Sequence, residues 1–102
     1  MAAVLVRIKA LATAGRYQLS SHVTARMAQH EITLAEMLEV IAIARLLENY
    51  PTFYQGPACL IYGDTTARRP IHIVCSTTLP TLILITVYVP TSPKWLAPMQ
   101  RR

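Results

Sequence analysis

Histidines that titrate near neutrality, arginines with a planar fork of donors, and tyrosines that stack or give up a proton are the side chains here suited to chemistry. His22 and Arg26 stand four residues apart in SSHVTARMA, residues 20–28. On a helix that spacing places them on one face, where two cations repel mildly. The pair is either ordinary surface or held for an anion. Further along, Glu48, Tyr62, His72, Thr86 and Tyr88 fall in strand-like segments, with Arg68 and Arg69 just before His72. A base for a ribose 2′-hydroxyl, an acid for the leaving oxygen and cations for the developing phosphorane charge are the parts of metal-independent RNA cleavage.

Each residue also has a plainer reading. His72 sits mid-strand among apolar neighbours and serves either catalysis or a structural hydrogen bond. Arg69 begins the same strand with core-side parity, so it must reach round an edge to touch a ligand; Arg68 reads as solvated. Tyr88 is a proton donor, a stacking platform or an exposed sheet tyrosine. Glu48 is a base or a charge that protects an edge strand. His30, beside an acidic residue at a helix break, reads as surface. Three scattered histidines and two cysteines show no zinc-site spacing, so no metal or other cofactor is expected. Cys59 and Cys75 read as small buried core residues.

These residues need elements to hold them. Val4, Leu5, Ile8, Leu11 and Ala12 recur at helical spacing before Gly15, which predicts a helix over residues 2–14. Ser20 or Ser21 caps a second helix bearing Val23 and Met27. Thr33-Leu34-Ala35-Glu36 is a capping-box pattern opening a third, with Met37, Leu38, Ile41 and Ile43. Strands are predicted over residues 46–50, 58–62, 69–76 and 82–89, with Leu79-Pro80 in the last turn. The fold class is therefore α+β, with N-terminal helices on one face of an antiparallel sheet of about four strands.

Sequential hairpins and alternation predict two sheet faces. Cys59 opposes Cys75 and Ile61 opposes Ile73. Across the next turn Cys75 opposes Ile83, Ile73 opposes Ile85 and Ile71 opposes Val87. These residues form the helix-covered core. Leu60, Tyr62, His72, Val74, Leu84, Thr86 and Tyr88 take the other face, joined by Glu48 and Tyr50. That face is either a binding surface or a half-solvated sheet exterior, and one residue of slip would invert it.

The 102 residues suit one domain, residues 1–102, without internal repeats. Hydrophobic residues make up 53% and charged residues 15%, which excludes a disordered chain and predicts a surface covered by a partner or a second copy as a homodimer. The net charge of +5 favours an anionic partner, although Arg101 and Arg102 contribute two of those charges at the tail. The apolar run at residues 79–89 falls short of a membrane span, and Arg7 and Lys9 interrupt the N-terminal apolar stretch as no signal peptide does. The cytoplasm is the expected location.

Taken together, S-x-H-x-x-x-R-M at residues 20–27, Asn49-Tyr50-Pro51 after Glu48, Arg69-Pro70-Ile71-His72-Ile73-Val74, and Thr86-Val87-Tyr88-Val89-Pro90 with Trp95 resemble a small bacterial domain-of-unknown-function family, the one numbered forty-two fifty-eight. The resemblance runs over about residues 20–95. The family is similar in organisation to the RelE/ParE and BrnT toxins of toxin–antitoxin systems. The resemblance thus implies a toxin-like endoribonuclease or a non-catalytic relative, with RNA and a cognate antitoxin of zinc-finger type as partners. It carries over His22, Arg26, Arg69, His72, Thr86 and Tyr88 as the family's prominent polar residues, without establishing their roles. The chemistry of the side chains makes His22, Arg26, Arg69, His72 and Tyr88 the expected catalytic residues, and the sheet-face reading sets Glu48, Tyr62 and Thr86 beside the substrate. Where the family commonly has a glycine before the isoleucine, this chain reads Gln29-His30-Glu31-Ile32, which predicts a looser break between helices.

Overall fold

The chain begins with α1 (Ala3–Thr13), whose Leu5, Ile8 and Leu11 form one buried stripe. Gly15, at φ +72, turns the chain out of it. The structure is a computed structural model that describes residues 3–51, 57–77, 80–90, 95–97 and 100–101. Ala2, Leu79 and Arg102, included in the predicted elements and tail, lie outside the described residues.

After β1 (Tyr17–Leu19), Ser20 caps α2 (Ser21–His30), its hydroxyl accepting from Val23 N at 3.0 Å and donating to Ile85 O at 2.9 Å. Ser20 thus satisfies an orphan helix donor and ties the helix start to a strand 65 residues away. The helix does not end loosely. Glu31 adopts the left-handed conformation at φ 54, its N–H bonds to Ala28 O, and Ile32 N bonds to Met27 O at 2.8 Å. This is a Schellman turn with buried Ile32 as its apolar anchor, formed without the glycine that usually occupies the left-handed position. A left-handed conformation costs a residue with a Cβ about 1 kcal/mol more than glycine, so Glu31→Gly is expected to stabilise the fold by about that amount. A lower urea midpoint in that variant would contradict the account.

The capping box forms as the sequence predicts: Thr33 Oγ1 accepts from Glu36 N at 3.1 Å and Glu36 Oε1 accepts from Thr33 N at 2.9 Å. It opens α3 (Leu34–Ile43), which buries Met37, Val40 and Ile41. Four longer strands follow: β2 (Arg45–Tyr50), β3 (Ala58–Asp64), β4 (Pro70–Ser76) and β5 (Leu82–Tyr88). A separate pair, β6 (Trp95–Ala97) and β7 (Gln100–Arg101), carries Trp95.

The main sheet has five strands, not four, in the order β1-β5-β4-β3-β2. The additional strand is β1, three residues too short to show alternation, and it runs parallel to β5. The sheet is therefore mixed. The β3–β4 register matches expectation, with Cys59 opposite Cys75 and Ile61 opposite Ile73. The β4–β5 register does not: Ile73 opposes Val87, and a bulge between Val74 and Cys75 sets Leu84 against Cys75 and Ser76 against Ile83. Ile85 is the extra residue. A bulge shifts the alternation by one, so Leu82 and Leu84 join the helix-covered core, while Ile83 and Ile85 go to the other side. A second bulge, at Leu47, shifts β2 against β3.

The three helices cover one face of the sheet, packing on Cys59, Ile61, Ile71, Ile73, Cys75, Leu82, Leu84 and Val87. At Gly63 the approach of α3 leaves little room for a side chain: a Cβ there would stand 3.1 Å from Val40 O. The opposite face holds a second apolar cluster of Ala58, Leu60, Val74 and Ile85, flanked by Leu47, Tyr50 and Ile83. Its centre is closed rather than half-solvated. No helix among the described residues is long and apolar enough to cross a membrane.

Candidate functional site

The predicted site residues fall into two groups. On the face away from the helices, strand register lines up Arg45, Tyr62, His72 and Tyr88 across β2, β3, β4 and β5. His72 is completely buried. Its ring packs edge-on to Tyr62, centroids 5.5 Å apart, and tilted against Tyr88 at 5.2 Å. His72 Nδ1 lies 3.3 Å from the Tyr88 hydroxyl. Tyr62 OH donates to Asp64 at 2.8 Å, and burial together with that carboxylate raises the phenol's pKa. Glu48 and Thr86 occupy the next row, opposite Leu60 and Val74, and Glu48 accepts from Tyr50 OH. Within the row of Arg45, Tyr62, His72 and Tyr88, Arg45 is exposed, Tyr62 and Tyr88 are half-buried, and His72 is fully buried.

The second group lies along α2. His22, Arg26 and His30 recur every four residues on one stripe of the helix. His22 is exposed, while Arg26 and His30 are half-buried. Arg26 Nε is buried with no hydrogen-bond partner, so the described atoms leave a desolvated charged donor unsatisfied. His30 Nδ1 accepts from Val89 N at 3.5 Å, which puts the proton of the neutral ring on Nε2. Burial, then the positive charges of Arg26 and Arg69, pull the His30 pKa below its ordinary value.

Arg69 belongs to this end of the molecule, but its guanidinium is already occupied. Nη1 donates to Glu31 O at 2.7 Å, Nη2 donates to His30 O, and Nη1 lies 3.5 Å from Glu36 Oε2. It reaches round the strand, as its parity requires, to close the α2–α3 turn. Its backbone is held by Thr65, which accepts from Arg69 N at 3.1 Å in the β3–β4 turn.

The sheet lies between the two groups. Val23 of α2 packs into the core with Ile73 and Val87, and alternation sends His72 and Tyr88 to the other side. Both groups nevertheless come to the same end of the sheet, where β4 starts and β5 ends: His30 meets Val89, one residue after Tyr88, and Arg69 precedes β4. The geometry offers an extended edge rather than one compact pocket. His30 was the residue that sequence reading set aside as surface. Its place four residues after Arg26 and eight after His22 is the signal that groups them.

His30 carries a pH signature. Its folded-state pKa lies below the ordinary 6.5, so the unfolded chain takes up the proton first as pH falls. Its contribution to stability is complete above about pH 6.5 and declines below it. Urea unfolding at about pH 7.5 and about pH 5.5 is expected to show a smaller loss on acidification in His30→Gln than in the parent chain.

Among the described residues no group of three or more His, Cys, Asp or Glu side chains is placed to hold a metal ion. A family model described as Domain of unknown function (DUF4258) matches residues 19–89, well over half of the chain. No curated protein and no solved structure matches. Helix α1 precedes the matched residues.

Proposed function

The chain belongs to the family described as Domain of unknown function (DUF4258), and we propose that it is a toxin-like component of a bacterial toxin–antitoxin system, acting on RNA as a metal-independent endoribonuclease with a RelE/ParE-like architecture. The observation that carries this reading is the buried, unpartnered Nε of Arg26, set between His22 and His30 on one helix stripe. A buried cationic donor without an acceptor calls for an anion, and a phosphodiester fits the planar guanidinium fork. The +5 net charge supports a polyanionic substrate.

In this reading Arg26 binds the scissile phosphate and stabilises the charge that develops on it. Exposed His22 exchanges protons with the ribose hydroxyl or leaving oxygen, and His30 donates from Nε2 as a neutral ring. Tyr88 receives a base at the sheet end, with Tyr62, Thr86 and Glu48 beneath the strand's path. His72 orients Tyr88, and Arg69 holds the turn that carries His30, so both are positioning residues. The protein works in the cytoplasm, held in check by an antitoxin of zinc-finger type.

The test is RNA cleavage by purified protein in EDTA, which His22→Ala and Arg26→Ala should each abolish. Cutting that survives both substitutions would remove the site. A second reading has its own support: His72 is fully buried and Arg69 is engaged with backbone carbonyls, which suits a non-catalytic module of the same fold that binds an antitoxin. Tight antitoxin binding without RNA cleavage or RNA affinity would favour it.

A further inference from the structure

The helix-covered side of the sheet contains two nucleophilic groups with no part in RNA chemistry. Cys59 and Cys75 are both free, both buried, and directly opposite each other in the β3–β4 ladder. This pairing lies within the helix-covered core. From this pairing we infer that Cys59 and Cys75 form a redox-active pair that a small peroxide closes into a cross-strand disulfide.

Strand geometry brings the pair close to bonding range. Directly opposed residues of an antiparallel pair have Cβ atoms about 4.5–5.5 Å apart, and a disulfide needs about 3.5–4.5 Å, so β3 and β4 need to move together by about 1 Å. The two sulfurs are not equivalent. Interaction with Cys75 lowers the Cys59 pKa, while interaction with Cys59 and deep burial raise that of Cys75. Cys59, in the strand next to the edge strand, is therefore the attacking sulfur, and Cys75, in the central strand, the resolving one. Cys59 also lies one strand from the sheet edge, opposite Asn49 of β2, so local opening of the edge strand gives a peroxide-sized molecule its route.

The chemistry closes without further reagents. The Cys59 thiol and hydrogen peroxide give the Cys59 sulfenic acid and one water. The Cys75 thiol then attacks that sulfur, forming the disulfide and releasing a second water. The two thiols lose two electrons in all, and the peroxide gains them.

The test uses the intact folded chain treated with hydrogen peroxide, then quenched with N-ethylmaleimide. The expected product has lost two hydrogen atoms in mass, takes up no maleimide, yields a peptide pair joining Cys59 to Cys75, and reverts with dithiothreitol. Cys75→Ser should stop at a Cys59 sulfenic acid that dimedone traps, and Cys59→Ser should consume peroxide about tenfold more slowly. Two thiols still open to maleimide after urea is added to the treated protein, or disulfides only between chains, would overturn the inference. So would a bond that forms only when urea is present during oxidation. None of these readouts depends on RNA cleavage.

Discussion

Under the proposed function, Arg26→Met is expected to remove RNA cleavage and at the same time make the protein more stable. Removal of one charge-assisted contact to a developing oxyanion costs about 100-fold or more in turnover, and RNA affinity falls with the lost phosphate contact. Stability moves the other way because Arg26 Nε is buried without a partner among the described residues, near His30, whose protonation the Arg26 charge opposes. An unsatisfied buried donor costs about 1–3 kcal/mol, more when charged, and methionine fills a similar volume with no donor at all. A gain of about 1 kcal/mol in urea unfolding with loss of cutting would identify a residue kept for a ligand. A destabilised Arg26→Met protein would instead make Arg26 a packing element, and the RNA site would lose its centre.

Arg69→Ala is expected to do the reverse, lowering stability by about 2–3 kcal/mol. The guanidinium satisfies carbonyls at His30 and Glu31, the end of α2, and lies against Glu36, which opens α3. The ion pair with Glu36 is partly exposed and contributes about 0–1 kcal/mol. Most of the loss comes from hydrogen bonds to a charged donor, about 1.5–3 kcal/mol each in measured series, reduced because water replaces part of them. For a chain of this size the thermal midpoint should drop by about 10–15 °C. Arg69→Lys should recover little, because one ammonium cannot span two carbonyls and a carboxylate. An unchanged midpoint with complete loss of RNA cleavage would return Arg69 to direct phosphate contact.

These two arginines look alike in the sequence, since each is a cation near a histidine. Their environments separate them. Arg69 is saturated by backbone acceptors, and Arg26 retains a buried donor without one. Composition, spacing and family resemblance carry no information about which acceptors a guanidinium meets, because those acceptors come from another part of the chain. His72 shows the same limit: its strand and parity were legible, but its complete burial was not. His30 reads as surface from its helix-break position, and its half-buried ring meets Val89 there.

The sequence by itself determined what depends on near neighbours. The three helices, the Thr33–Glu36 capping box, the Ser20 cap, four of the five strands of the main sheet, and the Cys59–Cys75 register all follow from local periodicity, short-range hydrogen bonding and one tight turn. Tertiary structure decided what depends on distant partners. The bulge at Ile85 exchanged the faces of Leu84, Ile83 and Ile85, and the carbonyl of Ile85 is met by Ser20, which no local pattern near residue 85 announces. Strand β1 exists because β5 offers it an edge. The left-handed Glu31 turn holds without glycine because Arg69 and the buried Ile32 anchor it from outside the helix. Long-range contacts also set His22 and Arg26 on one side of the sheet and His72 on the other, turning an expected single pocket into two groups that come to the same end of the sheet.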